Sequence, residues 1–322
     1  MMAQCDTRVS EVPVSAARGE NLLEVHNLCQ YFKVPGGTVK AVDDISFNIR
    51  PGETFGLVGE SGSGKSTTGR AVIRLDPITS GSITFDGDDI SDKLSRDVEA
   101  RLRRNMSMVF QDPMASLNPH RKVMDTIATG LDARDPHMDK HERAELVYAM
   151  MDRVGLSRSQ ANRYPSQFSG GQRQRVGLAR ALIMNPKLVI ADEAIAALDV
   201  SIQAQVVNLM KDIQHERGAA YLFIAHDLSM VRYISSHIAV MHLGHIVEQG
   251  STDEVFNNPV HPYTKALISA IPRLNPQVER VRHPLVYDAV AQGIRYDEGT
   301  YHKVSSDHTV LATPSQMEAW VR

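Results

Sequence analysis

Gly59, Glu60, Ser61, Gly62, Ser63, Gly64, Lys65, Ser66 and Thr67 fit the spacing G-x-x-x-x-G-K-[ST], and each residue type has a chemical reason to stand there. The glycines let the backbone curl until successive N–H groups converge on one anion. Lys65 then reaches terminal phosphates, and the hydroxyl of Ser66 is placed to ligate Mg²⁺. The apolar run Thr54–Val58 reads as a buried strand feeding this loop. Residues 67–73 continue as a helix whose positive N-terminal end faces the phosphates. The set points to nucleotide binding.

A second group sits further along. Leu188, Val189, Ile190 and Ala191 form an apolar strand that ends in Asp192 and Glu193. Carboxylates at a strand's C-terminal end are costly unless something positive compensates them, and in a parallel sheet that end is where ligands bind. Asp192 is therefore a candidate Mg²⁺ partner and Glu193 a candidate base that orients and polarises an attacking water. Residues 221–225 form another apolar strand, ending at His226, a candidate sensor of the γ-phosphate or the water. Ser169, Gly170, Gly171 and Gln172 open a further helix, and two glycines with a serine there make another N-terminal anion site. One nucleotide does not need two such sites from one polypeptide, so this one is expected to close over a nucleotide held by a second subunit.

The elements that must position these residues follow from patterning. The 322 residues are 42% apolar and 23% charged with a net charge of −3, ordinary for a soluble globular chain of one or two domains. With no basic run, nucleic acid is not expected as a partner. No uninterrupted apolar stretch reaches the ~18 residues needed to cross a bilayer, and the N-terminus lacks a signal core. Two cysteines, Cys5 and Cys29, make neither a disulfide framework nor a metal site. Residues 1–21 read as a loose leader. Residues 22–111 and 169–250 read as a nucleotide-binding α/β core. Residues 112–168, rich in Met, Ala, Arg and Glu, read as a helical insertion, with Leu146, Val147, Met150, Met151 and Val154 on one face of a helix. Residues 251–322 carry Pro259, Pro262, Pro272, Pro276 and Pro284 and read as a separate, loop-rich tail. His242 and His245 lack companion ligands and read as strand-and-turn residues rather than a metal site.

In this order, the phosphate loop, Ser169-Gly170-Gly171-Gln172, the Asp192–Glu193 strand and Ala197-Leu198-Asp199 resemble the ATP-binding-cassette (ABC) ATPases over about residues 22–250. The resemblance implies a P-loop NTPase cassette with a RecA-like core and an antiparallel β subdomain, ATP and Mg²⁺ as ligands, and hydrolysis at Glu193. It implies that Gln111 senses Mg²⁺ and links the core to the helical subdomain, and that His226 is the switch histidine. Ser169, Gly170, Gly171 and Gln172 would complete a partner's ATP site, Asp199 would cross the dimer interface, and Phe32 or its neighbour Tyr31 would stack on adenine. Gln111-Asp112-Pro113, Ser116-Leu117-Asn118-Pro119, the run from Leu198 to Gln205, and Asn258-Pro259 with His261-Pro262-Tyr263-Thr264 look like the oligopeptide/dipeptide uptake cassettes, on the side of their second ATPase subunit.

That resemblance implies a peripheral subunit on the cytoplasmic face of the plasma membrane. It would be joined to a second ABC ATPase (a paralogue, or another copy of this chain) and to two membrane permeases, with a periplasmic or surface solute-binding protein acting indirectly. The alternative is a non-transport ABC ATPase of a soluble complex, of the carbon–phosphorus lyase type. Two residues depart from the family pattern: Ala194 stands where proline is usual and Ala196 where serine is usual, which bears on turnover rather than on binding. The tail has no cysteine, so the iron–sulfur centre of some relatives is not expected.

Overall fold

The computed structural model describes residues 21–196, 198–271, 285–289 and 293–321. Most of the expected leader, residues 1–20, and Ala197 lie outside these. The chain forms two compact units, one made of residues 1–49, 54–91 and 225–322, the other of residues 50–53 and 92–224.

The first unit holds two sheets. Strands β1 (Leu23–Val34) and β2 (Gly37–Ile49) pair antiparallel, and β4 (Ser80–Phe85) pairs with β1 on its other side. β5 (Asp88–Asp89) completes that sheet. Strand β3 (Thr54–Val58), buried throughout, runs parallel to β9 (His237–His242). β9 turns back into β10 (His245–Ser251) through Leu243 and Gly244, both at positive φ, the turn type that matches the strands' twist. β3 runs straight into the phosphate loop, whose helix Lys65–Val72 starts two residues earlier than its apolar pattern suggests.

The tail departs from the sequence expectation of a loop-rich segment. β12 (His308–Ala312) pairs antiparallel with β10, and β11 (Thr300–Lys303) pairs with β12, so the tail extends the sheet of the first unit. Buried Glu248 of β10 fastens it. That carboxylate accepts the N–H groups of Val260 (2.8 Å) and His261 (3.0 Å) and pairs with the ring of buried His308 (2.7 Å). A buried carboxylate is tolerated only with such a set of donors.

In the second unit β6 (Met106–Val109), β7 (Leu188–Asp192) and β8 (Ala220–Ala225) are parallel neighbours; β7 and β8 are buried along their whole length, as parallel strands covered on both faces must be. The helix Lys140–Arg153 buries Val147, Met150 and Met151. Leu146 does not join them: it is 39% exposed, because its position lies at the edge of the apolar stripe.

Candidate functional site

The phosphate loop is built from backbone. Gly62 and Gly64 take φ +81° and +105°, values open to glycine alone at low cost. Gly64 has a second constraint, since a Cβ there would lie 2.2 Å from the carbonyl oxygen of Ala41. A Cβ on Gly59 would be crowded in the same way, 2.1 Å from the carbonyl oxygen of Met241. Ser63 offers its carbonyl to the N–H of Gly244, in the β9–β10 turn, at 3.0 Å. Lys65 is buried and folds back over the loop, its Nζ donating to the carbonyls of Gly59 (2.8 Å) and Glu60 (2.7 Å) and to Ser63 Oγ (3.2 Å). Ser66 and Thr67 lie in the first turn of the helix.

Of the two aromatic candidates, Tyr31 is tied down: its hydroxyl donates to Asp43. Burial would raise the Asp43 carboxyl, but the hydrogen bonds from Tyr31 and Lys40 outweigh that and hold it below the usual carboxylate range. Phe32, opposite Val39 in the β1–β2 register, is 39% exposed. Of the two rings, Phe32 is the more open to solvent.

In the second unit, Asp192 is buried as the last residue of β7. Glu193 turns off the strand end at φ +45°, with its N–H on the carbonyl of Ile224 at 3.0 Å. A left-handed glutamate is uncommon and strained, and such strain concentrates where function over-determines the backbone. Its Oε2 accepts the side-chain Nε2–H of Gln111 at 2.6 Å, so the structure joins these two candidates. Ala194 is buried, whereas Ala196 is exposed and donates its N–H to the carbonyl of Glu193.

Ser169 caps the helix Gly170–Leu182. Its Oγ accepts the N–H of Gln172 while Gln172 Oε1 accepts the N–H of Ser169, a reciprocal capping box on an exposed end. The Gln172 side chain thus shapes the helix start, at which Gly170 is exposed. Asp199 is exposed at the start of the helix Val200–Arg217, and its carboxylate caps nothing in that helix. His226 is exposed one residue beyond β8.

Sequence reasoning missed one participant in the loop. Tyr263, in the helix Pro262–Ser269 of the tail, accepts the N–H of Glu60 on its hydroxyl at 2.9 Å. Its motif, His261-Pro262-Tyr263-Thr264, stood out in the sequence, but nothing local tied it to the phosphate loop.

A family model described as ABC transporter matches residues 42–196, and one described as oligopeptide/dipeptide transporter, C-terminal region, matches residues 247–295. The oligopeptide transport ATP-binding protein OppF of Bacillus subtilis (strain 168) is 53% identical, over 94% of this chain and 99% of its own. The dipeptide transport ATP-binding protein DppF of Lactococcus lactis subsp. cremoris (strain MG1363) is 49% identical, over 94% of this chain and 97% of its own. Among solved structures, a dimeric ATP-binding cassette in a post-hydrolysis state bound to ADP and Pi superposes with a TM-score of 0.67 at 28% identity, covering 71% of this chain and 98% of that one. The chain belongs to the ATP-binding proteins of ABC transporters, in the oligopeptide/dipeptide transport family.

Proposed function

We propose that this chain hydrolyses ATP to drive uptake of peptides through separate membrane permeases, with Glu193 as the base that polarises the attacking water. The Gln111–Glu193 hydrogen bond carries the reading: it joins a carboxylate on a strained backbone to an amide, a pair suited to orienting a water. Lys65, the loop N–H groups and Ser66 grip the phosphates, and Phe32 lies under the adenine. His226 senses the γ-phosphate. The exposed Ser169–Gln172 helix start and Asp199 serve a nucleotide held by a second ATPase subunit. The match of the tail to the transporter C-terminal region favours this reading over a soluble-complex ATPase.

Ser66, Gln111 and Asp192 offer a hydroxyl, an amide oxygen and a carboxylate, all hard oxygen donors that suit Mg²⁺. Among the described residues no group of three or more His, Cys, Asp and Glu could hold a metal. Mg²⁺ is usually bound through one or two carboxylates together with substrate phosphates. When bound, it neutralises charge developing on the phosphate oxygens. Among the described residues no helix is long and apolar enough to cross a membrane.

Glu193→Gln tests the assignment. The amide keeps shape and hydrogen bonding but takes up no proton, so labelled ATP should still bind while turnover in the assembled transporter falls about 10²–10⁴-fold, and peptide uptake with it. Turnover within a few fold of wild type would remove Glu193 from the role.

A further inference from the structure

We propose that Tyr263 is a positioning residue for the phosphate loop, holding Lys65 in place through the Gly59–Glu60 peptide. The inference rests on the reading of Lys65 as a phosphate ligand. The carbonyl of Gly59 and the N–H of Glu60 are the two ends of one planar peptide unit. Tyr263 Oη accepts the N–H at 2.9 Å, and Lys65 Nζ donates to the carbonyl at 2.8 Å. The unit is therefore gripped at both ends. It needs gripping: Gly59 has φ +151° and no side chain, so it does little to oppose rotation of that peptide.

Tyr263 is suited to the task because it is itself immobilised. It is 1% exposed, its ring lies against His242 (4.2 Å between centroids) and Tyr287 (5.1 Å), and its own N–H is held by His261 Nδ1 at 3.1 Å. His261 is fixed in turn by Glu248, the buried carboxylate that also holds His308 of β12. His242 directly follows Met241, whose carbonyl walls the other side of Gly59. Burial pushes the phenol well above its ordinary pKa, so the group facing Glu60 is a neutral hydroxyl. Loss of that hydroxyl leaves the Glu60 N–H without its acceptor and the peptide held at its carbonyl end alone. The carbonyl that orients the Lys65 ammonium would move with it.

The test is equilibrium titration of the full chain with labelled ATP, for Tyr263→Phe, Lys65→Ala and the double variant. Tyr263→Phe should raise the Kd about 5–10-fold, as expected for one orphaned, partly buried donor. Lys65→Ala should raise it further, and adding Tyr263→Phe to Lys65→Ala should change nothing more, because the hydroxyl acts through the lysine. In the assembled transporter Tyr263→Phe should raise KM for ATP and leave kcat within twofold. If Tyr263→Phe lowers the melting temperature yet binds ATP like wild type while Lys65→Ala does not, the hydroxyl serves packing alone and the proposal fails. Losses that multiply in the double variant would also overturn it, by showing a route that bypasses Lys65. Unchanged affinity in Lys65→Ala would instead remove the reading of Lys65 on which the proposal stands.

Discussion

Gly62 and Gly64 differ in what they ask of a substitution, although both sit in the same loop. Each has a positive φ, but an added Cβ at Gly62 meets nothing within 4 Å, whereas at Gly64 it meets the Ala41 backbone. Gly62→Ala should therefore cost only conformational strain, about 1–3 kcal/mol. Gly64→Ala should cost more and displace the loop, with loss of ATP binding. Denaturant unfolding of the two variants checks this; equal stability would mean that β2 yields to the methyl group. Residue identity and spacing made both glycines visible in the sequence. Their difference was not visible, because it depends on a carbonyl from another strand.

The helix Pro262–Ser269 shows how an element of the tail enters the energetics. Its cap, His261, is fully buried, and burial together with the neighbouring His242 and Lys265 pushes its imidazole down to about 3. His242 is pushed down to about 4 by burial and by His245. Both rings are neutral in the folded chain and titrate near 6.5 when it unfolds. Their contribution to stability is thus complete above pH 6.5 and is lost as pH falls from there toward 4 and 3. The urea midpoint should drop between pH 7.5 and pH 5. His261→Asn, which keeps a cap acceptor and removes one titrating ring, should flatten that drop. An identical pH profile for the variant would exclude His261 as a source. Periodicity revealed the elements themselves well, down to the five residues of β3. It failed where burial is settled by neighbours, as with Leu146, and where short strands such as β11 look like loop.

A complete ATPase should need two chains. The proposed function gives the phosphate loop and the Ser169–Gln172 helix start to different nucleotides. Activity of the isolated chain should rise faster than linearly with its concentration, with ATP favouring association because both subunits grip its γ-phosphate. Mixing Lys65→Ala chains with Ser169→Arg chains places both lesions in one composite site of the mixed dimer and leaves the other intact. Recovered activity over either variant alone is the expected result. Strictly first-order activity without such recovery would sink the two-chain site.

What the sequence determined by itself was local: the glycine-rich loop from Gly59 to Thr67, the acids at the end of β7, the glycine-led start of the Ser169–Gln172 helix. Each is written in contiguous residues whose spacing is set by backbone geometry, so it can be read without knowing what surrounds it. Kinship to ABC ATPases was legible for the same reason, since it is carried by such blocks in a fixed order. Only the tertiary structure decided that Gln111 reaches Glu193 across 82 positions, and that Tyr263 reaches Glu60 across 203. It also decided that the proline-rich tail is part of the sheet, fastened by Glu248 and His308. Those contacts join side chains and backbone groups far apart in the chain, and no periodicity or spacing rule encodes which buried donor will meet which acceptor.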